Sequence, residues 1–442
     1  MTTAHTRVVL GRSSHDVHEV RSGGTRIGRQ ASDSDCDIQI DDSRMSRQHV
    51  RIGRGASGWE IVDLGSRNGG FIDGRALAPG GKAELDDGTV IRLGDTLIVF
   101  RMSAPAGDGR SDAGEFPGVS PAAAAVRRRI AMLAAASGHA LILGETGTGK
   151  ERVARAIAGR RSSHPFVTQN CAELTRDLAR SELFGHARGT FTGATHSKPG
   201  LVDLAGEGVL FLDEIGELAL DVQGDLLRFL EDGSYRPLGA GELRHSTARV
   251  VAATNVDLDQ AVAGNRFRRD LAARLRASNA PLELPPLRER REDIPRWTRL
   301  FAREAGYIDD GELWTVGALE CLLLYPWLEN LRELRGVVRA LIADHELPCP
   351  TERLPARIVS HRGVLRGHGG PATPVDPTPP QDPTPEELEA ALRRTHGRVR
   401  SAAKQLGIDR RKLYRLCERF GIALEAHRAA NEPGEPGEPD AE

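Results

Sequence analysis

The stretch Ala140-Leu141-Ile142-Leu143-Gly144-Glu145-Thr146-Gly147-Thr148-Gly149-Lys150-Glu151 decides the fold of the middle of this chain. Its four leading apolar residues read as a buried strand, and residues 152–158 carry a helical pattern. Between them the glycines let the backbone turn tightly and aim its N–H groups at phosphate oxygens. The helix start adds a favourable dipole, and Lys150 reaches the terminal phosphates. Residues 144–151 are therefore a P-loop for ATP. The general pattern ends Lys-Ser or Lys-Thr, whose hydroxyl helps hold magnesium. Here Glu151 follows the lysine, so Mg2+ leans more on Asp213, water and the phosphates.

Residues 209–212 form a second apolar run, ending in Asp213-Glu214. A strand that ends in two carboxylates places one on the metal and the other near the attacking water. Asp213 is the expected metal ligand and Glu214 the expected base. A third apolar run covers 250–253, with helical segments between. Alternating strands and helices predict a parallel α/β sheet over 116–286. Residues 287–361 are helix-rich, most clearly at 314–324 and 331–343.

Before this region, residues 4–103 read as all-β. Runs at 59–64, 89–93 and 96–100 are rich in β-branched and apolar residues, and turn pairs such as Asn68-Gly69, Asp73-Gly74 and Asp87-Gly88 separate them. That pattern suits a β-sandwich. Residues 104–115 read as a Gly/Ser/Pro-rich linker, 362–383 as a Pro-rich tether, 384–425 as short helices, and 426–442, with its Glu-Pro-Gly repeats, as a disordered tail.

The 442 residues are too many for one hydrophobic core and predict about three domains. A net charge of −2 excludes nucleic-acid binding by bulk charge, so any DNA contact needs a local basic surface. The five cysteines are scattered and form no CxxC pair, which argues against a zinc site or disulfide framework. No apolar run is long enough for a bilayer and no secretory signal layout opens the chain, so no membrane partner and a cytoplasmic location are expected.

Glu182-Leu183-Phe184-Gly185-His186 and then Gly189-Thr190-Phe191-Thr192-Gly193-Ala194 closely resemble the signature loop of sigma-54-dependent activators, usually written GAFTGA. Physics does not demand this hexapeptide, so the resemblance carries the assignment. It extends over about residues 116–358, through Asn170-Cys171-Ala172-Glu173-Leu174 and Pro286-Leu287-Arg288-Glu289-Arg290-Arg291-Glu292-Asp293-Ile294. The resemblance implies an AAA+ ATPase with a helical lid. Asn170 matches the residue that pairs with the catalytic glutamate and switches it. Thr254 and Asn255 match sensor I, and Arg332 matches sensor II. Arg268 and Arg274 match arginine fingers that reach a neighbouring subunit's ATP, which implies a homo-oligomer, a hexamer as in the family. Taken alone, each of these arginines would be an ordinary surface charge. Gly189, Thr190, Phe191, Thr192, Gly193 and Ala194 are implied to contact the sigma-54 RNA polymerase holoenzyme. Thr190 replaces the usual alanine, and Leu328-Glu329 stands where Pro-Gly is usual.

Helical patterns at 386–395, 399–406 and 410–420 have the layout of a helix-turn-helix. Arg410, Arg411, Lys412, Arg415 and Arg419 make the last one basic, while Leu413, Leu416 and Phe420 offer an apolar face. The segment resembles the Fis-type DNA-binding domain, which implies double-stranded DNA as a partner. At the other end, Gly28-Arg29, Ser46-Arg47-Gln48-His49 and Asn68-Gly69 resemble the forkhead-associated (FHA) domain. That resemblance implies binding of a phosphothreonine-containing protein or peptide. Arg29, Ser46 and Arg47 can bond a phosphate and Asn68 a peptide backbone, with His49 propping the loop.

The expected fold is multidomain: an all-β FHA sandwich, an α/β AAA+ P-loop ATPase with helical lid, and an all-α helix-turn-helix. The expected function is sigma-54-dependent transcription activation driven by ATP. Two alternatives stay open: a DNA-bound AAA+ ATPase without productive sigma-54 contact, and a non-hydrolysing phosphopeptide adaptor.

Overall fold

Among the described residues eleven short strands come first, each about as long as the turn signals allow. They are β1 (Ala4–Leu10), β2 (Val17–Val20), β3 (Thr25–Arg29), β4 (Ile38–Ile40), β5 (Val50–Arg54), β6 (Trp59–Asp63), β7 (Gly70–Ile72), β8 (Arg75–Leu77), β9 (Lys82–Leu85), β10 (Val90–Leu93) and β11 (Thr96–Arg101). This computed structural model describes residues 4–10 as backbone, then 17–32, 35–102, 116–159, 163–191, 194–307, 311–343, 347–361 and 385–395, with positions 399, 413, 416, 417, 420 and 422 beyond. The strands form two sheets, ordered β2-β1-β11-β10-β7-β8 and β4-β3-β5-β6-β9. Pairing is antiparallel except between β3 and β4. Ile27, Val50, Ile52, Trp59, Ile61, Ile91, Ile98 and Phe100 fill the space between the sheets.

β11 departs from the alternation of a half-solvated strand, since all six of its residues are buried. Ile98 and Phe100 face the sandwich core. Leu97 and Val99, with Val90 of β10, belong instead to the apolar cluster of the following region.

That region runs through α1 (Pro121–Ala135), β12 (Ala140–Leu143), α2 (Lys150–Ala158), β13 (Phe166–Asn170), α3 (Arg176–Phe184), α4 (Leu201–Ala205), β14 (Val209–Asp213), α5 (Leu220–Asp232), β15 (Ser234–Tyr235), β16 (Arg244–His245), β17 (Arg249–Thr254), α6 (Leu258–Ala263), α7 (Arg269–Ser278) and β18 (Leu282–Glu283). The predicted parallel sheet is present, in the order β13-β14-β17-β12-β18. β17 is buried along its whole length and β14 along all but its last residue, as befits strands covered on both faces. α1 begins where Ser120 caps it, accepting from the Ala123 N–H at 2.9 Å, with Pro121 in the first turn.

The described residues continue with the helices α8 (Ile294–Glu304), α9 (Val316–Leu324), α10 (Asn330–Ile342) and α11 (Ala356–Val359). α9 starts later than the expected 314, because Trp314 is drawn into a bridge with Cys349 and Thr315 caps the helix. α9 is buried nearly all round and packs on β10 and β11. All five cysteines are buried thiols. Among the described residues no helix is long and apolar enough to cross a membrane.

A second unit contains α12 (Pro385–Arg394). Its Leu388, Ala391 and Leu392 form an apolar cluster with Val399, Leu413, Leu416 and Cys417. Phe420, expected on the same apolar face, stays 36% exposed.

Candidate functional site

The P-loop follows β12 as expected and carries left-handed backbone at Gly147 (φ 77°) and Gly149 (φ 105°). A Cβ on Gly147 would lie 2.1 Å from the carbonyl oxygen of Glu329, so only glycine fits there. Lys150 opens α2, donates to the Gly144 carbonyl at 3.0 Å and stands 3.6 Å from the Glu214 carboxylate. Thr148 is fully buried, and its hydroxyl donates to the Glu145 carbonyl. Glu151 lies at the rim and pairs with Arg155 one turn on, at 2.7 Å.

β14 delivers Asp213 beside Glu214, which sits in left-handed backbone (φ 50°). Burial, then the neighbouring Glu214 charge, push the Asp213 pKa above its ordinary value. Cys171 is nearby, and burial followed by the two carboxylates push its thiol up to about 12. The Asn255 side chain donates to the Thr146 hydroxyl at 2.9 Å, and its N–H to Glu214 at 3.3 Å. Thr254 is buried and braces its own turn, its hydroxyl accepting from the Val256 N–H. A cleft of about 440 Å3 is lined by Thr146, Gly147, Gly149, Lys150, Asp213, Glu214 and Arg332. Arg335, Arg339, Trp297 and Phe301 line it too, and sequence reasoning missed them. For Arg335 and Arg339 the helical spacing from Arg332 along α10 was the available signal; Trp297 and Phe301 come from α8 and share no such spacing.

Asn330 was also missed as a site residue. It is fully buried in left-handed backbone (φ 52°). Its amide donates to Glu145 and to the Thr146 carbonyl, and its oxygen accepts from the Leu287 N–H at 2.7 Å. Arg288 clasps Glu145 through two hydrogen bonds, which holds that carboxyl below its ordinary range. The Leu328-Glu329 departure leaves this turn closed. The Asn330 N–H reaches the Trp327 carbonyl at 2.8 Å, while Leu328 projects outward, 73% exposed.

Other expected residues stand apart from the cleft. The oxygen of the Asn170 side chain accepts from the Ala172 N–H, and no hydrogen bond joins Asn170 to Glu214 in this arrangement. Arg268 is clasped by Asp270 at 2.7 Å. Arg274 donates to the Leu230 and Glu231 carbonyls, capping the C-terminus of α5. Neither arginine lines the chain's own cleft.

In the signature loop, the Thr190 hydroxyl donates to the Ala187 carbonyl (2.6 Å) and approaches that of Leu238 (3.0 Å). Gly189 and Ala194 close the loop's base through a 2.8 Å hydrogen bond. Phe191, 39% exposed, packs its ring edge-on against His186. Thr192 and Gly193 lie outside the described residues.

In the sandwich, Arg29, Ser46, Arg47 and Asn68 line one cleft of about 810 Å3 together with Arg44 and Arg67. His49 is not in that cleft. It is fully buried, accepting from the Ser46 N–H at Nδ1 and bonding the Gly69 carbonyl at Nε2. Arg410, Arg411, Lys412, Arg415 and Arg419 lie outside the described residues.

Family models match three segments in order: the FHA domain at 25–94, the sigma-54 interaction domain at 116–280, and the bacterial regulatory protein, Fis family, at 386–416. The alginate biosynthesis transcriptional regulatory protein AlgB of Pseudomonas aeruginosa is 40% identical over 315 residues, covering 69% of this chain and 67% of that one. The nitric oxide reductase transcription regulator NorR1 of Cupriavidus necator is 36% identical over 399 residues, covering 82% and 76%. Among solved structures, NtrX from Brucella abortus in complex with ADP matches with a TM-score of 0.50 at 28% identity, covering 69% of each chain. The chain therefore belongs to the sigma-54-dependent transcriptional activators, AAA+ ATPases of bacterial enhancer-binding proteins, with an FHA domain before its ATPase and a Fis-type helix-turn-helix after it.

Proposed function

We propose that this chain binds DNA upstream of its promoters and assembles in the cytoplasm into a ring, a hexamer, that hydrolyses ATP to remodel sigma-54 RNA polymerase for open-complex formation. A phosphothreonine-bearing protein controls it through the FHA cleft. One observation carries the reading: Lys150, Asp213, Glu214 and Arg332 converge on one cleft, while Arg268 and Arg274 stand outside it. Arginine fingers can be supplied in trans, so arginines that stand outside their own cleft fit a neighbour's.

In this reading Lys150 and the P-loop N–H groups hold the phosphates of ATP. Phosphate competes with Glu214 for the Lys150 ammonium, which frees Glu214 to take a proton from the attacking water. Asn255, already bonded to both Thr146 and Glu214, registers the terminal phosphate. The adjoining carboxylates, one of them raised by burial, suit a dication, so Asp213 would hold Mg2+, which supplies charge neutralisation on the phosphates. Arg268 and Arg274 must leave Asp270 and the end of α5 to reach the neighbour's phosphates. Phe191 and Thr192 pass the motion to sigma-54, and Arg410, Arg411, Lys412, Arg415 and Arg419 hold the DNA.

The test measures ATP turnover and open-complex formation with the full chain and sigma-54 holoenzyme. Glu214→Gln is expected to bind ATP with turnover lost, and Thr192→Ala to keep turnover while open complexes fail. Near-normal turnover in Glu214→Gln removes Glu214 from the base role. Turnover by the parent without open complexes would point to an ATPase acting on something other than sigma-54.

A further inference from the structure

We propose that Arg101, the last residue of the FHA sandwich's β11, is a positioning residue for the nucleotide site, acting through the segment Glu289-Arg290-Arg291-Glu292-Asp293. The proposal rests on the ATPase and not on the FHA ligand.

The segment's side chains divide between two neighbours. On one side the sandwich holds it. Arg101 is 8% exposed and gives two hydrogen bonds to Glu292, which is 1% exposed, and a third to the Glu289 carbonyl at 2.8 Å. Arg291 donates to the Gly88 carbonyl at 3.1 Å and stands 3.6 Å from Asp73. On the other side the segment holds the ATP site. Arg290 is fully buried, donates to the Thr148 carbonyl in the P-loop at 3.3 Å, and lies over the rings of Phe116 (4.6 Å) and Trp297 (5.7 Å). Trp297 lines the nucleotide cleft. Asp293 is likewise fully buried and accepts from the Val119 and Ser120 N–H groups and the Ser120 hydroxyl, fixing the start of α1.

Glu292 and Arg290 are two positions apart in a tight turn, so one cannot shift without the other. Burial pushes the Arg290 guanidinium down to about 10, against the opposing charges of Asp293 and Glu292. Its hold on the P-loop thus depends on carboxylates in a dry site, and one of those is neutralised by a residue of another domain. Removing Arg101 takes two hydrogen bonds from the buried Glu292 carboxylate, which must then shift toward other partners. That shift changes what Arg290 offers Thr148.

The experiment uses the full chain, with affinity for a fluorescent ADP analogue and kcat at saturating ATP as readouts. Arg101→Ala is expected to weaken nucleotide affinity on the order of five- to tenfold, with kcat at saturation within about twofold, because Glu214 and Asp213 are untouched. Arg101→Lys, which keeps one charge and loses the fork, falls between. It carries the test if the alanine variant does not fold. Asp87→Ala is the control: Asp87 bonds the same guanidinium from within the sandwich at 2.8 Å, and its loss leaves Glu292 paired. It should bind nucleotide as the parent does. Unchanged affinity in folded Arg101→Ala or Arg101→Lys overturns the proposal. Equal weakening in Asp87→Ala also overturns it, since that would mark general loosening of the sandwich.

Discussion

Asp213 ends β14 beside Glu214, and burial followed by that neighbour's charge raise its pKa above the usual 3.8. A carboxyl raised by folding costs stability once pH climbs through its folded value. Asp213→Asn should therefore melt higher than the parent at neutral pH. The gap should narrow as pH falls toward 3.8, while turnover is lost. Thermal melts across that range check it, and a constant gap would locate the gain elsewhere. Thr190 argues in the same way from its contacts. Its hydroxyl fastens the signature loop to the Ala187 and Leu238 carbonyls, a tie the usual alanine lacks. Thr190→Ala should cost about 1 kcal/mol of stability, leave ATPase within about twofold, and raise open-complex yield if the tie restrains the loop. Unchanged yield would make Thr190 a structural residue only.

At the scale of elements, β11 and α9 cover one another. Leu97 and Val99 leave the sandwich on its outer face and enter the cluster that holds Leu319, Leu322 and Leu323 of α9. Arg92 and Glu320 meet at 3.0 Å within this contact. Leu97→Ser with Val99→Ser should cost at least about 2 kcal/mol and split a single calorimetric transition into two, because the sandwich core of Ile98 and Phe100 is left intact. Survival of one transition would mean the contact is not what couples the domains. The P-loop strand, the strand before Asp213 and the order of elements could be read from sequence, because apolar runs there end in residues with a chemical task. The contact could not. A run such as residues 96–100 satisfies a sandwich core and an outer interface equally well. The run Arg288-Glu289-Arg290-Arg291-Glu292-Asp293 is legible only through the family resemblance, and nothing in its charged composition foretells that Arg290, Glu292 and Asp293 are among the most buried polar residues. Charges whose partners lie far along the chain, as Thr148 does for Arg290, Ser120 for Asp293 and Arg101 for Glu292, leave no local periodicity to read. The early strands of the sandwich escaped for a similar reason: β3, β4 and β5 are short, and arginines and glutamine punctuate them.

For the molecule as a whole, the FHA cleft and the interdomain contact share a loop. Asp42 accepts from the Arg44 N–H at 2.9 Å, and from the Asp95 N–H and the Thr96 hydroxyl at 2.8 Å each. Arg44 lines the FHA cleft and pairs with Asp95 at 3.1 Å, at the turn that leads into β11. A phosphothreonine peptide that draws on this loop should alter nucleotide affinity in the full chain. Asp42→Ala should keep peptide binding and lose at least about half of that effect in free energy, whereas Arg29→Ala should lose the binding itself. Paired titrations with phosphorylated and plain peptides decide it. A full effect in Asp42→Ala would send the signal by another route.

Burial of every cysteine turns the chain into its own set of clocks. Alkylation needs a thiolate that solvent can reach, so the native chain should react slowly and each thiol should report the opening of its own surroundings. Cys36 donates to the Arg47 carbonyl under the FHA cleft, Cys171 sits beside Asp213, Cys321 lies within α9, and Cys417 belongs to the C-terminal cluster. Mass spectrometry of labelled peptides would time four regions in one sample without any substitution. A phosphopeptide should slow Cys36, and ATP should slow Cys171.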